Sequence, residues 1–317
     1  MFSCQTESAR LRKIKVDVQV QRFEQDLFLL NKENFAEQLL LLENKYGAFF
    51  TLFCSQIIDI GTPDSADFEA QLLAFLQDTV VQQGYAAAQR IFADTKSLNR
   101  TFTNAFKRYK LHFATDSIPQ VYTFVAGFNH SVVLADGVVA IGLDKYLGTD
   151  FAPYSQMGFY RYLLRNMYPA KMPGDAIHYI AEQTFASPTN SLLQRMIWEG
   201  KLLYFTQQLL PDAPDTCLFG FSAQQIKSCL DNEAFMWNVL VRDKLLFSQN
   251  RRLIREMTED APFTSRFSQQ APGKAANWIG YRIVAQYMRR HRDLTLPQLM
   301  THHNAQEILD GSGYNPR

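Results

Sequence analysis

Met172-Pro173-Gly174-Asp175-Ala176-Ile177-His178-Tyr179-Ile180-Ala181-Glu182-Gln183-Thr184-Phe185 and Leu192-Leu193-Gln194-Arg195-Met196-Ile197-Trp198-Glu199-Gly200-Lys201-Leu202-Leu203-Tyr204-Phe205 decide how this chain folds. They read as two helices with a break at Ala186-Ser187-Pro188. The first carries Ile177, Ile180, Ala181, Thr184 and Phe185 on one stripe, and Asp175 is its natural N-cap. The second starts at Thr189 or Ser191 and is apolar nearly all round, the pattern of a buried helix. Glu199 emerges between its leucines and needs a partner, because an unpaired buried carboxylate is costly.

His178 and Glu182 stand one turn apart beside the first stripe. One zinc-protease layout places two ligands four apart on a helix, a general base directly after the first, and a glutamate ligand on the next helix. His178, Glu182 and Glu199 fall on the ligand positions. The base position holds Tyr179, which cannot accept a proton from metal-bound water near neutral pH as a glutamate does. The favoured reading is therefore structural: Arg195, one turn before Glu199, pairs with it, and His178 is a partly buried histidine. Lys201 is a second candidate partner. No cofactor is expected; zinc on His178, Glu182 and Glu199 is the alternative.

Composition narrows the class. With 317 residues, 47% hydrophobic, the chain can bury a sizeable core. A formal net charge of +1, with no basic run interleaved with aromatics, argues against a nucleic-acid binder. The 25 Phe and 14 Tyr point to aromatic core packing. No apolar run reaches the length of a membrane helix. Cys4, Cys54, Cys217 and Cys229 form no metal-ligand pattern; Cys217 and Cys229 are either bridged or buried thiols. Met1-Phe2-Ser3-Cys4 resembles the end of a bacterial lipobox, in which the cysteine is lipidated. The preceding apolar region is not in this chain, which leaves a truncated start or a chance match. The polar, basic run Gln5 to Lys15 has the composition of a tether.

Outward from the helix pair, Phe23 to Phe113 has helical spacing, interrupted at Gly61-Thr62-Pro63-Asp64. At Ile118-Pro119 the period becomes alternating. Val121–Val125, Ser131–Leu134 and Val138–Ile141 read as strands, with Asp136-Gly137 a hairpin turn. Ser222 caps a predicted helix from Ala223 to Phe247, and a further helix runs from Asn277 to Arg290, with Gly280 where a neighbour approaches closely. Arg289, Arg290, His291 and Arg292 suit that helix's C-terminal pole. Helices, a small mostly antiparallel sheet and then buried helices define an α+β, predominantly helical fold.

Four blocks carry a family resemblance: Ile141-Gly142-Leu143-Asp144-Lys145-Tyr146-Leu147-Gly148; Met196-Ile197-Trp198-Glu199-Gly200-Lys201-Leu202-Leu203-Tyr204; Pro272-Gly273-Lys274-Ala275-Ala276-Asn277-Trp278-Ile279-Gly280-Tyr281-Arg282-Ile283-Val284; and Tyr314-Asn315-Pro316. In this order they resemble the GldB family, the gliding-motility-associated lipoproteins of Bacteroidetes, itself similar to predicted zinc proteases with a His-Glu-x-x-His helix followed by a Glu-Gly helix. The resemblance implies a zincin-like fold, with Glu199-Gly200 as the relic of a ligand helix; because the first helix reads His178-Tyr179-Ile180-Ala181-Glu182 in place of His-Glu-x-x-His, the expectation is a pseudoenzyme and not a peptidase. It implies a lipoprotein N-terminus and tether over residues 1–20, anchored to the membrane through Cys4. Residues 21–317 then form a single domain, helical over 21–117, sheet over 118–150 and helical over 151–317. The expected location is the cell envelope, facing the periplasm, with envelope protein partners. A divergent zinc hydrolase using His178, Glu182 and Glu199 is the alternative.

Overall fold

Helices dominate, as the spacing of apolar residues predicts, and a computed structural model describes residues 9–186 and 189–317. The chain divides into two compact units. The first comprises Met1–Lys107, Thr115–Tyr160 and Met167–Ala176, and the second comprises Arg108–Ala114, Arg161–Asn166 and Ile177–Arg317.

In the first unit, strand β1 (Gln21–Arg22) leads into helices α1 (Phe23–Leu27), α2 (Phe35–Tyr46) and α3 (Ala48–Leu52), the last continuing as a π turn over Phe53–Ile57. Helices α4 (Phe68–Gln77), α5 (Thr79–Ile91) and α6 (Lys96–His112) follow. Asp78 caps α5 by accepting from the Val80 and Val81 amides. The ring of Phe23 is fully buried and meets Tyr46, Phe49 and Phe53 edge-on, with centroids 4.8–5.1 Å apart. The aromatic content thus serves core packing here.

Strands β2 (Gln120–Phe124), β3 (Val132–Ala135) and β4 (Val138–Gly142) complete a sheet of order β1-β2-β4-β3. The pairs β1–β2 and β2–β4 are parallel, and only the β3–β4 hairpin is antiparallel. The expected mostly antiparallel sheet is therefore mixed. The reason lies in burial. Every residue of β4 and all of β2 but Gln120 are buried, the uniform apolar run typical of parallel strands covered on both faces, whereas β3 is half-buried at the edge. Strand β1 has no alternating pattern to announce it. At the hairpin, Gly137 takes φ +69°, the left-handed region that favours glycine.

After helices α7 (Ala152–Gln156) and α8 (Arg161–Leu164) comes α9 (Met172–Thr184), entered through a 3-10 turn over Pro169–Lys171. Asp175 is not its N-cap. Pro173 sits in the first turn, where a missing N–H costs nothing, so the helix begins three residues before Asp175. The Asp175 carboxylate instead pairs with Lys171 and accepts from the Tyr146 hydroxyl at 3.0 Å.

The second unit is built on α10 (Leu192–Leu209). Ser191 is its N-cap, in a capping box with Gln194. Helices α11 (Asp215–Phe219), α12 (Ala223–Asp231), α13 (Glu233–Arg242), α14 (Arg251–Thr258), α15 (Ala275–Arg290), α16 (Leu296–Thr301) and α17 (Ala305–Ser312) follow. Ser222 caps α12 as expected, but the predicted helix to Phe247 breaks at Asn232, whose side chain donates to the Ser228 carbonyl at 2.8 Å. An asparagine that bonds the local backbone competes with helix continuation. Cys217 and Cys229 are buried thiols, not a disulfide.

The most extensive packing in this unit is α10 against α15. At their crossing Gly200 faces Gly280. A Cβ on Gly280 would overlap the Met196 carbonyl oxygen, and one on Gly200 would lie 2.7 Å from the Tyr281 amide nitrogen. Two backbones in direct contact admit no side chain between them. Gly280→Ala is expected to destabilise the protein by about 1–3 kcal/mol and Gly280→Leu by more. The urea midpoint measures this, and an unchanged midpoint in Gly280→Leu would refute the crossing.

Candidate functional site

Burial of α10 determines the chemistry of its polar residues. Glu199 is only 8% exposed. One turn earlier Arg195 places Nη2 2.8 Å from Glu199 Oε1, the i,i+4 pairing that helix geometry offers. The guanidinium also lies over the Trp198 ring at 4.7 Å, while its Nε is buried without a hydrogen-bond partner. Trp198 is fixed in turn by donating from Nε1 to the Phe185 carbonyl at 3.1 Å.

From α9, His178 brings Nε2 to 3.8 Å from Glu199 Oε2. One turn on in α9, Glu182 is near enough for its charge to act on this carboxylate as well. Tyr179 is half-buried and the structure assigns it no role in the cluster. Lys274, which takes a left-handed φ of +54° just before α15, and Asp260 form a 3.0 Å ion pair whose two charges also act on Glu199. Burial pushes the Glu199 carboxyl from 4.5 up to about 7; Arg195 and Lys274 oppose the shift, and Glu182 and Asp260 add to it.

Lys201 does not reach this cluster. It is 1% exposed and donates from Nζ to the carbonyls of Met300 and His302, both at 3.0 Å. Being two positions from Glu199, it projects from a different side of the helix. It satisfies backbone acceptors at the end of α16, and burial pushes its ammonium down to about 8.

Glu199 Oε1 is engaged by a guanidinium, and among the described residues no three His, Cys, Asp or Glu side chains are grouped to hold a metal. Arg195 holds the Glu199 carboxylate in place, and the His178 ring stands beside its other oxygen.

Sequence reasoning assembled His178, Glu182, Arg195 and Glu199 from helical spacing. It missed Asp260, which lies in a loop without pattern, and the role of Lys274. It also missed Asp144, which is fully buried in the first unit. Asp144 Oδ2 accepts from the Ala126 and Phe128 amides at 2.9 and 2.7 Å, closing a turn in which Gly127 and Phe128 both have positive φ. Burial pushes this carboxyl up to about 6. The separated blocks Arg282 and Tyr314 also meet: Arg282 grips Glu233 with two hydrogen bonds of 2.9 and 3.2 Å, and the Tyr314 hydroxyl donates to the same carboxylate at 2.7 Å. Cys4 lies outside the described residues, as do Ser187 and Pro188 of the expected break.

A mainly helical α+β chain with a buried carboxylate–guanidinium pair on its central helix defines a structural class but no activity. Residues 4–316 match the family described as gliding motility protein GldB, and the chain belongs to that family of lipoproteins associated with gliding motility. None of the curated proteins and none of the solved structures matches it.

The raised Glu199 carboxyl has a consequence for stability. Its folded value exceeds its unfolded one, so the folded state holds the extra proton between about 4.5 and 7. This contribution is complete below pH 4.5 and lost as pH rises through 7. Urea midpoints measured against pH should therefore fall across this window in the wild type more than in Glu199→Gln. Parallel profiles would show that Glu199 ionises like a solvated carboxylate.

Proposed function

We propose that this protein is a non-catalytic, lipid-anchored component of the cell envelope. Cys4 carries the lipid, and the folded chain faces the periplasm and supports a gliding-type or other envelope complex by binding protein or ligand. In this reading α9 and α10 are the relic of a zincin-like ligand-helix pair. The observation that carries it is the 2.8 Å contact between Arg195 and Glu199, which fills the glutamate position that a metal would need. Tyr179 agrees, since a hydroxyl with an ordinary pKa near 10 is a poor base for water.

The competing reading, a divergent zinc hydrolase on His178, Glu182 and Glu199, draws on the 3.8 Å approach of His178 to Glu199. Elemental analysis of untagged protein separates the two. Background zinc is expected in both wild type and Glu199→Gln. Near-stoichiometric zinc in the wild type, lost in Glu199→Gln, would establish the hydrolase instead, because a site short of one ligand rarely retains zinc.

The anchor has its own test. With the reading frame extended upstream, cells fed a labelled fatty acid should mark the wild type and leave Cys4→Ala unmarked. Label in both proteins, or in neither, would remove the anchor from the proposal.

A further inference from the structure

Positive and negative charge nearly cancel over the whole chain, at 32 Lys and Arg against 31 Asp and Glu, but not at its N-terminal end. Arg10, Arg12, Lys13 and Lys15 occupy the stretch from Ala9 to Val16 with no acidic residue among them. All four are exposed. Helix α6 is likewise free of Asp and Glu from Lys96 to His112. At 3.6 residues per turn its Lys96, Arg100 and Lys107 fall within about 40° of one another, and Thr103 lies beside that arc.

The fold brings these two basic segments together. The Val18 amide donates to Thr103 Oγ1 at 2.9 Å, and the Val20 amide donates to Asn99 Oδ1 at 3.0 Å. Asn99 returns a hydrogen bond from Nδ2 to Gln19 Oε1 at 2.9 Å. Val18 and Val20 are buried, so the strap from Val18 to Val20 is fastened along the basic side of α6. Lys15 is three residues from Val18, a reach of at most about 11 Å of extended chain. Lys96 and Arg100 are exposed and Lys107 is half-buried. The acids alongside are Asp17, which accepts from Gln19, and Asp94, whose carboxylate is 3.9 Å from Lys96 Nζ. Among the described residues of these segments two exposed acids stand beside seven cations, and Glu7 precedes the run.

We propose that this surface, built from Arg10–Lys15 and the Lys96–Arg100–Lys107 arc of α6, lies against anionic phospholipid headgroups of the membrane that holds the anchor. The inference rests on the lipoprotein reading for its location, since Arg10 is six residues from Cys4. Its chemistry is independent of the lipid. A cluster of cations next to an acyl-bearing residue adds an electrostatic contribution to membrane attachment, and each Lys or Arg near the surface strengthens it. With the strap fastened to α6, the folded unit would be held at the membrane by its basic side instead of hanging from a loose tether.

The test uses the full chain carrying Cys4→Ser, so that no acyl group contributes, in sedimentation with vesicles of phosphatidylglycerol or of phosphatidylcholine. The protein should sediment with phosphatidylglycerol, remain in solution with phosphatidylcholine, and be released by high salt. Arg10→Glu/Arg12→Glu/Lys13→Glu/Lys15→Glu, and separately Lys96→Glu/Arg100→Glu, should each weaken binding at least about tenfold with the thermal midpoint unchanged. Equal binding to both vesicles, no binding to either, or full binding by both charge-reversed variants would overturn the proposal. The fatty-acid label on Cys4 is read separately. Labelling without vesicle binding defeats the basic surface alone, and vesicle binding without labelling defeats the anchor alone.

Discussion

The second unit depends on the contact of Gly200 with Gly280. Where α10 and α15 cross, the backbone of one helix lies on the backbone of the other, and neither position has room for a Cβ. Such an approach gives the flanking apolar residues of both helices close contact with few voids. It also leaves α10 enclosed, so that Leu192, Met196, Leu202 and Phe205 are fully excluded from solvent.

Enclosure sets the terms for the buried polar groups on that helix. Where water is excluded, such a group needs a partner within the protein. Glu199 takes Arg195 from its own preceding turn. Lys201 takes two backbone carbonyls near the C-terminus. Thr206 returns its hydroxyl to the Leu202 carbonyl at 2.8 Å, and Trp198 donates to Phe185. Two ionisable groups two residues apart thus serve different ends. One joins a charged cluster with His178, Glu182, Lys274 and Asp260, and the other secures the C-terminal helices.

A charged cluster in a buried place can mark a catalytic centre or a structural device. Here its central pair lies within one helix. Arg195 meets the carboxylate along the helix's own repeat, so the pair forms wherever the helix forms and needs no substrate or ion. The lipoprotein family to which the chain belongs then gives weight to the outer surface, where the N-terminal strap joins two basic segments on α6.

Local rules were enough to read much of this from the sequence. Ser191 and Ser222 announced their helices through capping chemistry, and Asp136-Gly137 announced its hairpin. The 3.6-residue repeat put Arg195 beside Glu199 and turned His178 and Glu182 to one side. The absence of a charge from most of α10 marked it as buried. Each of these is fixed by residues no more than a few positions apart. The sheet was misread because pairing is not local: β2 pairs in parallel with β4 and not with its sequence neighbour β3, and two residues as plain as Gln21 and Arg22 form a strand by meeting Tyr122 and Thr123. Lys201 was misassigned for the same reason, since its acceptors lie 99 and 101 residues away. Asp260 and Lys274 came to Glu199 through chain folding that no periodicity encodes. The sequence by itself determined that the chain is mainly helical, that α10 is buried and that Arg195 lies one turn from Glu199, because those follow from backbone geometry and burial. Only the tertiary structure decided which partners satisfy the buried charges, because once water is excluded the choice falls to whatever donors and acceptors the packing brings within reach.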